Sequence, residues 1–240
     1  LLNLALQAFN FIRTSMYDGK TLYHSHCNSI NKHEGMLEDY AYLIKAGITI
    51  FEITTDEQYL KFSLELTETL IENFGDEEGM FFITSKMKDD VIIRNKQIVD
   101  NVMPNANAVM IENLTKLDFI TGEHKYNQLN TKIIQDYSSR INKEYFGICS
   151  FLNSLDFFNN YQSIIITGIN KDDNKKIYDQ LIKKYLPNTI ILMINEKTNI
   201  ISKNNFLNQI EIKSESSIYL CKNNTCSLPS KNIEEILKMI

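Results

Sequence analysis

Residues 35–60, GMLEDYAYLIKAGITIFEITTDEQYL, decide the fold. Leu37, Ala41, Ile44, Ile48 and Phe51 lie on one stripe at helical spacing. A polar corner follows. A second amphipathic run then carries Leu60, Leu64, Ile71 and Phe74 at core spacing, until Gly75 and DEEG stop it. Thr55 to Gln58, TDEQ, has the form of a capping box. That form predicts the Thr55 side chain closing a free amide and Gln58 reaching back. The stretch therefore predicts two helices joined by a tight corner.

The same pattern returns further along. FEITTDEQYL (51–60) superposes on LDFITGEHKYN (117–127), with Thr54 on Thr121, Asp56 on Glu123 and Tyr59 on Tyr126. The offset of 67 residues sets LEDYA opposite PNANA as equivalent helix starts. Pro104 suits a first helical turn, where no amide donor is needed. Between the two units, GMFFITSK (79–86) and DVIIRNKQI (90–98) alternate as a small β-hairpin does. The opening LLNLALQAFNFI also runs at helical spacing, without the basic flank and cleavage site of a signal peptide.

Helical hairpins with long loops at one end build an α/α toroid, whose inner helices start at a central cavity. The expected fold is mainly α: part of an α/α toroid over 1–160, an (α/α)6 ring by the family resemblance given below, then a small α/β C-terminal unit over 161–240. In the second part YQSIIITG, NTIILMIN and SSIYLC read as strands, NKDDNKKIYDQLIKKYL as a capped helix and NIEEILKMI as a last helix.

Composition narrows the function classes. Residues 1–160 hold 14 basic and 22 acidic side chains, a net −8; residues 161–240 hold 11 and 8, a net +3. Neither is the strongly basic face that nucleic acid requires. No apolar run approaches the ~18 residues of a membrane span. Four cysteines in 240 residues make no disulfide framework, so a reduced, cytoplasmic setting is expected. Cys221 and Cys226 leave three readings: half a zinc site, a redox pair, or structural thiols, the last favoured. His24 and His26 could share one side of a strand, but no third ligand is fixed, so no metal is expected.

Four stretches occur in an order that resembles the YyaL-type family, which includes a spermatogenesis-associated thioredoxin-like protein. They are GMLEDYAYLIKAGITIFEITTDEQYL, IRNKQIVDNVMPNANAV, LDFITGEHKY and SIYLCKNNTCSLPS. The resemblance implies a thioredoxin-like domain upstream and a six-hairpin toroid related to N-acylglucosamine 2-epimerases and glycosidases. This chain would be its C-terminal portion, without the first hairpins. The family pattern runs Arg-x-Lys-Asp, Asp-Gly-Ala, Pro-Ser-x-Asn-Ser. Arg94, Lys96, Asp100, Pro104 and Asn107 match it, whereas Gln97, Asn101, Asn105 and Ala108 depart from it.

The expected site follows from that pattern. Asp39 and Asp100 would be the proton-transfer groups, facing a sugar or polyol in the cavity. Glu38, Tyr40, Arg94, Lys96 and Asn107 would bind it, Arg94 as a bidentate clamp. Structural roles compete with each. Glu38 and Asp39 suit a helix start electrostatically, Arg94 and Asp100 could pair, and Asn107 could support a turn. No cofactor is implied. Epimerisation would call for histidines at the helix starts, and none is expected there. The activity is at most epimerase- or glycosidase-like, and the alternative is a non-catalytic scaffold serving the upstream thioredoxin-like domain.

Overall fold

A computed structural model describes residues 1–88, 90–141, 146–222 and 225–240. Asn223 and Asn224, inside the last of the four family-like stretches, lie outside the described residues. The fold is mainly α with a small α/β unit.

Helix α1 (Leu2–Phe11) continues as one π turn to Met16. A hairpin follows, β1 (Tyr23–Cys27) against β2 (Ile30–Glu34), antiparallel with Tyr23 opposite Glu34 and Ser25 opposite Lys32. Asn28 and Ser29 join the strands with φ of 50° and 60°. Positive φ at both central residues matches the right-handed twist of paired strands.

Two helical hairpins form the body: α2 (Leu37–Thr54) with α3 (Glu57–Phe74), and α4 (Ala106–Thr121) with α5 (Lys125–Arg140). The sequence repeat is visible atom by atom. Thr54 Oγ1 donates to Ile50 O at 2.7 Å and accepts from Asp56 N–H; Thr121 Oγ1 donates to Leu117 O at 2.7 Å and accepts from Glu123 N–H. The next residue ends each first helix in the left-handed region, Thr55 at φ 61° and Gly122 at φ 73°. Glycine takes that conformation without steric cost, whereas threonine carries a Cβ there. Deeper in the hairpins, Ser63 Oγ reaches Ile44 O, and Asn130, its counterpart, donates to Ile111 O at 3.0 Å.

Three local expectations are corrected. Asp56, not Thr55, caps α3, accepting from Gln58 N–H at 3.0 Å, because Thr55 is already committed to ending α2. Asn105 caps α4, so Pro104 stands outside the helix rather than in its first turn. Residues 79–98 form no β-hairpin among the described residues. One backbone bond links the two stretches, Ile83 N–H to Asn95 O at 2.8 Å, but it starts no ladder, because the groups around it bond elsewhere: Phe82 N–H to Phe74 O, Lys86 N–H to Asn73 O, and Ile83 O to Leu37 N–H. A chain satisfied by the ends of neighbouring helices has no ladder left to make.

Helix α6 (Cys149–Asn160) leads into the α/β unit. There β3 (Gln162–Thr167) runs parallel to β4 (Thr189–Ile194) across α7 (Lys171–Leu181). Short helices α8 (Asn199–Lys203) and α9 (Asn205–Gln209) precede β5 (Ser217–Lys222) and β6 (Thr225–Cys226), and α10 (Ile233–Leu237) ends the fold. The sheet order is β4-β3-β5-β6. One sheet face, through Ile165, Ile190 and Leu192, joins the core of the helical hairpins; the other packs Ile164, Ile166 and Ile218 against Tyr178 and Ile236. Cys221 and Cys226 face each other across β5 and β6 and form a disulfide, which corrects the reading of them as structural thiols.

Candidate functional site

The starts of α2 and α4 lie side by side. Tyr42 OH donates to Pro104 O at 2.9 Å, Lys45 pairs with Glu112 at 2.7 Å, and Asn113 donates to Ala41 O at 2.8 Å. Two clefts open at these starts. One, of about 360 Å³, is lined by Glu38, Gln97, Asn101, Met103, Asn105 and Asn107 among others. The other, of about 450 Å³, is lined by Tyr23, His24, Glu38, Asp39, Tyr42 and Met103 with apolar neighbours. Glu38 and Met103 line both.

Asp39 has two jobs. Its Oδ2 accepts from Met36 N–H at 2.7 Å, so a first-turn carboxylate closes the helix start. The same oxygen lies 2.9 Å from His24 Nδ1. The hydrogen bond and charge of Asp39 push the imidazole above its ordinary pKa. His24 is half exposed at the cleft. No sequence pattern points to this pairing, because the partners are 15 residues apart across a hairpin turn and share no periodicity. The polar pair Asn28–Ser29 between two alternating runs was the available hairpin signal, and both residues take the positive φ of a two-residue turn.

The other expected site residues turn to the scaffold. Tyr40 is buried, and its hydroxyl accepts from Leu22 N–H at 3.0 Å. Asp100 accepts from Asn105 N–H at 2.9 Å, from Ser150 N–H at 2.9 Å, and from the Ser150 hydroxyl. It thereby ties the excursion to the first turn of α6. Arg94 does not pair with Asp100. Its guanidinium donates to Thr84 O and Asn73 O and sits 4.1 Å above the Phe82 ring. Lys96 is almost fully enclosed, within 3.2 Å of Asp76, Glu78 and Asp136. Asn107 clamps Phe81 at both backbone groups, accepting from its N–H at 2.7 Å and donating to its carbonyl at 3.0 Å. Of the seven residues, Glu38, Asp39 and Asn107 line the clefts, and Tyr40, Arg94, Lys96 and Asp100 line neither. Asp39 and Asp100 do not converge on one pocket.

Among the described residues, no group of three or more His, Cys, Asp or Glu could hold a metal ion, and no helix is long and apolar enough to cross a membrane.

Comparison with known proteins supports the family resemblance. Spermatogenesis-associated protein 20 of Homo sapiens is 22% identical over the whole of this chain and 33% of its own length. The Mus musculus protein of that name is 23% identical over 86% of this chain and 27% of its own length. An uncharacterised Caenorhabditis elegans protein is 23% identical over 83% of this chain and 27% of its own. The chain thus spans a third or less of the curated relatives it matches. No family model matches it. Among solved structures, a GH76 α-mannanase of Bacteroides thetaiotaomicron overlays with a TM-score of 0.49 and 17% identity, over 63% of this chain and 44% of that one.

Proposed function

We propose that this chain is the hairpin part of a longer protein and binds a sugar or polyol at the starts of α2 and α4, as part of a partial α/α toroid. The observation that carries the reading is the pair of adjoining clefts sharing Glu38 and Met103, with Gln97, Asn101 and Asn105 on one rim and two tyrosines on the other. Concave, partly apolar sites with a few converging polar groups suit small hydroxylated ligands. Binding is favoured over sugar conversion because Asp100 is held at the start of α6 and has no place in the Asp39 cleft. A pair of proton-transfer carboxylates must flank one scissile bond. The test is a sugar and polyol panel against the full-length protein, read as a thermal shift. A shift lost on Glu38→Gln and kept in Asp100→Asn supports binding at the clefts; a shift absent for every sugar rejects it.

A second reading rests on a different observation. Ile92, Ile93 and Val102 stand exposed on the excursion, with half-exposed Met103 beside the clefts. Such residues suit docking of the upstream thioredoxin-like domain implied by the resemblance. Proteolysis of the full-length protein tests it: protection of the 90–103 segment that disappears when the upstream domain is removed supports docking, and unchanged cleavage rejects it.

A further inference from the structure

The larger cleft brings together groups that the helical packing does not need in one place. Asp39 occupies His24 Nδ1, which fixes the tautomer: in the neutral ring the lone pair sits on Nε2. Nε2 has no hydrogen-bond partner among the described residues, and His24 lines the cleft. Glu38 also lines it, forms no ion pair among the described residues, and its charge is felt at His24. Tyr23 and Tyr42 are fixed in its wall, their hydroxyls donating to Asp18 at 3.0 Å and to Pro104 O at 2.9 Å. The α2 start contributes roughly half a positive charge, less than the two carboxylates of its first turn. With neutral His24, the cleft is an anionic, aromatic-walled site with one strong acceptor nitrogen.

We propose that this cleft takes a polyol that carries an ammonium group, held between the Glu38 carboxylate and His24 Nε2, and releases it when His24 is protonated. The inference rests on the polyol reading above and names the ligand's charge. Ammonium N–H groups donate to both acceptors, and a tyrosine face attracts a cation. Protonation turns Nε2 into a donor and places a second cation beside the first. The charged groups felt at the imidazole are Asp39 and Glu38 on α2 and Lys88 on the excursion; on β2, His33 lies between the residues that pair with Tyr23 and Ser25, whereas Glu34 and Lys32 belong with the opposite strand face. The Asp39 pairing moves the imidazole pKa upward, so release sets in at a higher pH than an unpaired imidazole would give.

The experiment is calorimetric titration of the full-length protein with glucamine, a polyol amine, and with sorbitol, its uncharged counterpart. At about pH 8, glucamine should bind about tenfold more tightly than sorbitol, and this preference should be lost by about pH 5.5, where His24 is protonated. Glu38→Gln should erase the preference at every pH. His24→Gln should retain it and flatten its pH dependence. Equal binding of the two probes at about pH 8 overturns the ammonium inference and leaves the polyol reading standing. A preference that persists at low pH in the unaltered protein overturns the role of His24. Failure of both probes to bind overturns the inference together with the reading beneath it.

Discussion

At the scale of single residues, the chain puts ionisable and amide side chains to structural use wherever the backbone is irregular. Asn107 is the clearest case. Its buried amide copies a strand partner for Phe81, in a segment that has no strand. Replacing it with alanine leaves two buried backbone groups unpaired, each worth about 1–3 kcal/mol. Asn107→Ala should lower stability by about 2–4 kcal/mol in urea unfolding, while the surface substitution Lys231→Ala stays within about 0.5 kcal/mol. Asp100 works in the same way at the start of α6. Asp100→Asn keeps the shape but loses charge-assisted bonds to Ser150, so a loss of about 1–2 kcal/mol is expected, with ligand affinity unchanged.

At the scale of elements, the helices were legible and the excursion between them was not. Apolar spacing from Leu37 to Phe74 is set by a local period, so it can be read without knowing the fold. Residues 79–98 alternate as a strand does, yet apart from one bond between Ile83 N–H and Asn95 O their backbone is bonded to Phe74, Asn73 and Leu37. No local pattern reports such distant partners. The candidate site was legible in the same uneven way. Glu38 and Asp39 are first-turn acids and could be read, whereas the His24–Asp39 pairing depends on how a hairpin folds back. Close packing of elements also yields a test. Gly47 lies where α2 meets α3, and a Cβ there would stand 2.2 Å from Ser63 Oγ. Gly47→Ala should cost about 1–3 kcal/mol by prying the hairpin open. Adding Ser63→Ala, which removes the obstructing hydroxyl, should recover part of that loss, and a double-mutant cycle measures the coupling.

At the scale of the whole molecule, pH acts on stability in two opposite ways. In Asp136, burial pushes the pKa up, but hydrogen bonds from Arg140, Met80 N–H and Lys96 outweigh it and hold the carboxyl below its usual range. Asp76 behaves alike, with burial overcome by Lys96 and two backbone amides. A depressed carboxylate pKa stabilises the fold above the unfolded value of about 4, and that stability disappears as pH falls through the lower folded value. Acid titration of the melting temperature should therefore show a loss below about pH 4 that is smaller in Lys96→Met. His24 works in the other direction. Its raised pKa stabilises below the unfolded value of about 6.5 and is lost as pH rises through the folded one, so His24→Gln should reduce stability near pH 6 more than near pH 9.

The contact between Lys45 and Glu112 joins the same position of successive copies, 67 residues apart. A position that touches its own counterpart cannot carry one charged residue throughout an array, since like charges would then meet at every junction. As long as it stays charged, it must alternate in sign. The helical repeat thus imposes a parity rule: a further hairpin grafted after α5 in this register should carry a base where α4 carries Glu112. An acid at that place would set two carboxylates against each other and weaken the new junction, and a chain lengthened by two hairpins would restore the original order of charges.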